Sequence, residues 1–200
     1  MPWTREELQV FLSENLLREN LEAVVQELQE MQAGRGMIAA NHDDSPLQGD
    51  VYAGVPCVSR TEAGVQIVPR RVLLVSNSCD ASPDNPRPVP LDLTVAPLLK
   101  LASYEQMLRD GGVAPLALND TIRAIRRQEK SNLIFIPRGA NVEEDMVALL
   151  DKVQSLSFDD FQRNNPDRLA VLTQRGFWVL LVKLSMHFLR PHEGVARHAA

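Results

Sequence analysis

The chain has 200 residues, 24% of them charged, and a formal net charge of −5 at pH 7. That length suits one domain with an appendage or two small domains. The acidic balance excludes the global basic footprint of a general nucleic-acid binder and leaves only a local basic patch open.

The N-terminus, Met1-Pro2-Trp3-Thr4-Arg5-Glu6-Glu7, is acidic where a signal peptide is basic and then apolar. Thr4 and Glu7 have capping-box spacing, and Leu8, Phe11 and Leu12 follow at helical period. Leu16, Leu17, Leu21, Val24, Val25 and Leu28 continue the stripe, opposite an acidic face of Glu19, Glu22, Glu27 and Glu30. Residues 1–33 therefore read as a bent helix or helix pair, packed either on the chain's own core or on a partner. Residues 34–48 are small and polar and read as a linker. Within them His42 lies beside Asp43 and Asp44 but has no partner at fixed spacing, so no metal is expected there.

Short β-segments begin at Gly49-Asp50-Val51-Tyr52 and continue through Gly54 to Val58, a turn near Glu62 to Gly64, and Val65 to Val68. The strongest apolar run of the middle third, Val72 to Val75, is entered from Arg70-Arg71 and left through Ser76-Asn77-Ser78-Cys79-Asp80. It reads as a buried strand whose polar end either faces a cleft or makes an ordinary turn. Prolines 83, 86, 88 and 90 exclude regular structure through that segment.

Leu91 to Leu99 is the next predicted strand. Residues 103–110 and 119–129 are predicted helices, and Leu133 to Pro137 is a further strand. Arg123, Arg126 and Arg127, with Lys130 behind them, form the densest basic cluster, either a solvated face or a contact to phosphates. Glu143-Glu144-Asp145 reads as exposed, Ala148 to Leu156 as a final strand, and Phe158 to Phe161 as a turn. Asp167 is read as the cap of a C-terminal helix with apolar positions Leu169, Leu172, Phe177, Leu180, Leu181, Leu184 and Phe188, stopped by Pro191. Its apolar run, Phe177 to Val182, is too short to span a bilayer. Residues 191–200 read as a frayed tail, within which, as at His187, the histidines lack ligand spacing. The two cysteines, Cys57 and Cys79, make no dense disulfide framework and fit a reducing compartment, while their spacing leaves a single pairing open. The expectation is a soluble cytoplasmic protein with no cofactor and no membrane partner.

Gly49-Asp50-Val51-Tyr52 followed by Arg70-Arg71-Val72-Leu73-Leu74-Val75-Ser76-Asn77 resembles the opening of the PemK/MazF-like toxin family. That family begins with a Gly-Asp-Ile/Val-aromatic strand and continues to Arg-Pro-Val-Leu-Val-Val-Ser-Asn. Thr94-Val95-Ala96-Pro97-Leu98 is similar to its next strand, and Val153-Gln154-Ser155-Leu156 with the last helix to its close. The similarity spans residues 49–190, with an insertion at 100–132.

The resemblance implies an α+β fold: a small SH3-like antiparallel β-barrel with an N-terminal helical appendage and a long buried C-terminal helix. It also implies a toxin–antitoxin protein that acts on RNA; with the amphipathic stripe of residues 1–33, the expectation is a homodimer and an antitoxin or other protein partner held through that segment. Active members cleave RNA without a metal, using an arginine and a Thr or Ser at the scissile phosphate and the RNA 2′-hydroxyl as nucleophile. Arg70 stands at the matching arginine, and a guanidinium suits a phosphorane because it is planar, charged and bidentate.

Leu99 stands where the family has its threonine, and Ser78-Cys79-Asp80 replaces the usual continuation. Two readings follow. In one, the catalytic site is rebuilt on Arg70, Asp80, Cys79 and Ser76, with Asp80 as a general base or its orienter. There Cys79 would need Arg70 or Arg71 to favour its thiolate. Arg71, Arg123, Arg126 and Arg127 would hold nucleic acid. In the other reading the barrel is a non-catalytic module that assembles through its N-terminal helices.

Overall fold

The computed structural model describes residues 36–40, 45–82, 85, 88–89 and 91–189. The predicted helices of residues 1–33, His42 and the tail from residue 191 lie outside the described residues. The strands are β1 (Ile38–Ala39), β2 (Val51–Thr61), β3 (Gly64–Leu74), β4 (Asp92–Lys100), β5 (Leu133–Ile136), β6 (Met146–Leu149), β7 (Gln154–Ser157) and β8 (Asp167–Leu172). The helices are α1 (Ser78–Ala81), α2 (Leu101–Asp110), α3 (Pro115–Arg126), α4 (Phe158–Asn164) and α5 (Gln174–Leu189), with a 3₁₀ turn at Leu150–Lys152. The fold is α+β, an antiparallel sheet in the order β1-β8-β2-β3-β4-β6-β5 with β7 also on β4.

Alternation along β2 and β3 sends side chains to two cores. Val51 and Leu73 enter one, with Leu98, Ile134, Ala148 and, from α5, Val179 and Leu180. Tyr52, Val55, Val72 and Leu74 enter the other, with Leu93, Val95 and Phe161 of α4. β4 is the pivot of the sheet. Its residues 95–97 pair with β3, while on its other edge residues 92–95 pair with β7 and 98–100 with β6. Two glutamine amides extend the ladders. Gln154 Oε1 accepts from Val58 N at 2.7 Å and its Nε2 donates to Val58 O at 3.1 Å, tying β7 back to β2. Gln128 does the same for Phe135 on β5.

The segment 167–172 is a strand and not the first turns of the last helix. Ala170 pairs with Val51, and β8 fills the edge of β2 that would otherwise expose its ladder groups. The helix starts at Gln174. Gly176 is a point of close approach, since a Cβ there would collide with the Met37 carbonyl. The stretch read as a linker contains β1, which pairs with β8, and buried Met37. The expected strand from Ala148 to Leu156 is broken, because Leu150 turns into the core through the 3₁₀ step. Phe158 to Phe161 is helical, capped by Ser157 Oγ, which accepts from Asp160 N at 3.1 Å. The predicted helices at 103–110 and 119–129 begin earlier, at Leu101 and Pro115, the latter occupying a first helical turn where its missing N–H costs nothing.

Candidate functional site

The polar end of β3 is knitted into the backbone. Ser76 Oγ accepts from Thr94 N at 2.7 Å, and Ser76 N donates to Thr94 O. Asn77 Oδ1 accepts from Cys79 N at 2.9 Å and so caps α1. Ser78 Oγ accepts from Gln48 N at 2.9 Å, and Gln48 Nε2 donates to Val75 O. Cys79 is an exposed free thiol whose carbonyl accepts from Asn85 Nδ2. Asp80 lies in α1, its N–H donating to Asn77 O.

Arg70 stands at a different place. It lies opposite Val55 on β3, exposed, with Nη2 3.5 Å from Ser59 Oγ. Four steps along the strand, roughly 13 Å, separate it from Leu74, and α1 lies beyond that. Ser76, Cys79 and Asp80 are thus clustered, and Arg70 is set apart from them along the strand. Near Arg70 is the buried thiol of Cys57, pushed up by burial and pulled partly back by the guanidinium.

The β3–β4 register pairs Val72 with Pro97, Leu73 with Ala96 and Leu74 with Val95. Extended two residues, it puts Arg70 level with Leu99. Leu99 packs into a third core built by Leu101, Ile125, Leu133, Phe135, Val147 and Leu149. The α2–α3 pair therefore packs against Leu99.

The other predicted arginines all arrive with carboxylates. Arg123 pairs with Asp120 at 3.0 Å, Arg127 with Glu129 at 3.1 Å, and Arg126 with Asp145 while lying over the Phe135 ring. Arg71 lies 3.6 Å from Glu144 and 3.9 Å from Glu143, and Lys100 reaches Glu144 at 2.6 Å. The acidic segment 143–145 is thus a partner to cations of β3, β4 and α3, with Glu143 exposed as expected and Glu144 and Asp145 partly buried. Among the described residues no three His, Cys, Asp or Glu side chains converge as a metal site.

One constellation joins two residues of the Gly49–Tyr52 motif to an arginine far along the chain. Asp50 is fully buried; its Oδ2 accepts from Leu47 N at 2.9 Å and from Tyr52 OH at 3.3 Å. Arg168 Nη1 lies 3.4 Å from that oxygen and donates to Ser45 O at 3.1 Å, with the guanidinium 5.6 Å from the Tyr52 ring centre. Burial, then the Asp50 charge, pushes the Tyr52 hydroxyl far above its usual range, so it stays protonated and donates. Phe161 meets the Tyr52 ring edge to face at 5.0 Å. Beside this group opens a cavity of about 390 Å³, lined by Pro46, Tyr52, Phe161, Gln162, Asn165, Pro166 and Arg168. Asp50 and Tyr52 share a strand face because they are two residues apart. Arg168 joins them only through the β2–β8 pairing, in which Tyr52 opposes it.

No protein-family model matches the chain, and no curated protein matches it.

Proposed function

We propose that the chain is a PemK/MazF-like protein of the toxin–antitoxin type that acts on RNA by binding it and not by cutting it. The observation that carries this reading is Leu99. The β3–β4 register, carried two residues past its last pair, brings it level with Arg70, where the resemblance calls for a reactive hydroxyl, and it is a partly buried alkyl side chain packed with residues of α2 and α3. A leucine neither donates nor accepts a proton. Arg70 remains exposed and charged, which suits a phosphate contact. Support for an SH3-like barrel comes from β4, which is shared between three strands, and from the Gln154 amide that bridges β7 to Val58.

The test incubates purified wild-type protein and Arg70→Ala with a panel of single-stranded RNAs, reading both cleavage and fluorescence anisotropy. The expected result is intact RNA with both proteins and salt-dependent binding that Arg70→Ala weakens. Cleavage by the wild type that Arg70→Ala abolishes would overturn the reading.

A second reading, a protein-interaction module, is favoured by the β2–β3 hairpin. Val58 opposes Ile67, and Val65 shares their face; these side chains are 47%, 73% and 68% exposed. Adjacent exposed branched residues of this kind mark interaction surfaces. Light scattering should then give an assembly for the wild type and a smaller mass for the Val65→Lys, Ile67→Lys double variant. Equal masses for the two would sink this second reading.

A further inference from the structure

We infer that the open edge of β3, at Val65 to Ile67, pairs antiparallel with the same edge of a second copy of this chain. The inference rests on the protein-interaction reading above and names its partner and its mode.

The direction of the main chain follows from one side chain. Val58 spends both its N–H and its carbonyl on the Gln154 amide, so neither points at β3. Ile67 is the residue directly opposite Val58. Opposed residues of an antiparallel pair either bond each other or both turn outward. The N–H and carbonyl of Ile67 therefore point away from β2, and by the period of two so do those of Val65. The far end of the strand agrees. Leu74, of the opposite parity, bonds Asp50 and Gly49 just ahead of β2.

The two edges of this ribbon are treated differently. The Gln154 amide stops the β2 edge at Val58. On the β3 edge, β4 pairs with residues 72–74 only, and then turns its residues 98–100 to β6. Among the described residues no strand pairs with Val65 or Ile67 on that side. Their side chains are 68% and 73% exposed. Nor does the segment from Gly64 to Val68 carry a charge, the usual device by which an open edge repels a second strand.

The sequence of the edge selects a second copy as the occupant. A two-fold pairing that opposes Val65 to Ile67 of the second copy makes four main-chain bonds, each residue donating once and accepting once. The next register, Ile67 to Ile67, leaves the Val65 carbonyl facing Pro69, which has no N–H to give it. The favoured register also brings Glu62, in the turn at the tip, level with Arg70 of the second copy, and Arg70 level with Glu62. Both side chains are exposed. Within one copy the six strand steps from Gly64 to Arg70, roughly 20 Å, keep these charges apart. Their match exists only between copies. Val65 and Ile67 meet across the same seam as a branched cross-strand pair. Because Gln154 stops the other edge, the two-fold contact closes as a dimer and does not propagate.

The two-fold passes through Gln66, which faces its own equivalent. Its main-chain groups point to β2, so the two residues form a non-bonded pair with Cα atoms about 4.5 Å apart. That separation lies within the span of a disulfide.

The test uses the full chain in two experiments. In the first, Gln66→Cys is made with Cys79→Ser, which removes the exposed native thiol, and is mildly oxidised. A covalent dimer is expected, with Cys79→Ser alone staying uncoupled. In the second, sedimentation velocity is run over a concentration series. Glu62→Arg and Arg70→Glu should each associate about tenfold more weakly than wild type, as expected for two exposed ion pairs turned to like charges. An equimolar mixture of these two variants should regain the wild-type affinity, because each pair then joins opposite charges across the copies.

A Gln66→Cys protein that forms no covalent dimer overturns the inference, as does a mixture no tighter than its components. If the Val65→Lys, Ile67→Lys variant loses mass while Gln66→Cys does not couple, the interaction reading stands and the edge pairing falls. If that variant keeps its mass while Gln66→Cys couples, the edge pairing stands and the apolar face is dispensable.

Discussion

The polar end of β3 and the cluster around Asp50 use similar side chains in opposite ways. Ser76, Asn77 and Ser78 each turn a side-chain oxygen toward a backbone N–H, at Thr94, Cys79 and Gln48. Asp50, Tyr52 and Arg168 instead meet one another in the interior, joined by the β2–β8 ladder. A run of polar residues after a strand is conspicuous in sequence, and here it does turn chemistry. The trio is assembled only by the fold, and two of its members, Tyr52 and Arg168, line the cavity. Local density of polar residues is therefore a poor guide to where this chain offers a site.

The largest expected effect breaks the buried cluster. Asp50→Ala leaves Arg168 in the interior without the carboxylate at its side, an error that commonly costs about 3–5 kcal/mol. Denaturant unfolding should show the midpoint falling with an unchanged slope. A loss below about 1 kcal/mol would mean that the pair is solvated and the comparison with the β3 end is false.

Lys183 sharpens the comparison, because it is a buried charge of a third kind. Among the described residues its ammonium donates to the Lys130 carbonyl at 2.6 Å, and no carboxylate is in ion-pair contact with it. Burial lowers its pKa from 10.5 to about 7. The folded state therefore releases a proton that the unfolded chain keeps between those two values. Below about pH 7 both states are charged and the burial cost is full. As pH rises through the window, stability rises by up to about 1.4 kcal/mol per unit. Urea midpoints from pH 7 to pH 9 should climb for the wild type and stay flat, on this account, for Lys183→Met. A parallel climb in both proteins would assign the pH dependence to another group.

The middle of the fold was legible for physical reasons. Val72 to Val75 is an apolar run bounded by charge and turn residues, and residues 64–74 form β3. Leu91 to Leu99 alternates well enough to be seen as a strand, and β4 covers residues 92–100. Residues 167–172 misled because Leu169 and Leu172 are three apart, as on a helix face, and Asp167 has the chemistry of a cap. What decides the matter is the open edge of β2, which no local pattern announces. The same holds for the cavity. Arg168 reads as one more surface arginine until β8 is laid beside β2.

A smaller effect separates structure from chemistry at Ser76. Its hydroxyl accepts from Thr94 N and continues the β3–β4 ladder by one bond. Ser76→Ala should lower stability by about 1 kcal/mol, the worth of one hydrogen bond. RNA binding measured by anisotropy should not change. A loss of binding with unchanged stability would move Ser76 from scaffold to site.

The smallest stability effect is expected at Glu144, where the change bears on ligand affinity. Glu144 holds both Lys100 and Arg71 in half-exposed ion pairs. Such pairs contribute about 0–1 kcal/mol and are screened by salt, so Glu144→Gln should leave the unfolding midpoint nearly unchanged. It should nevertheless leave two cations of β3 and β4 with more of their charge available to a polyanion. If Arg71 belongs to an RNA-facing surface, single-stranded RNA should bind Glu144→Gln more tightly than wild type, and the gain should shrink as salt rises. If affinity is the same at low salt, Arg71 and Lys100 serve only to anchor the acidic segment. Under the proposed RNA reading, Arg70 is then the β3 cation left for a phosphate contact.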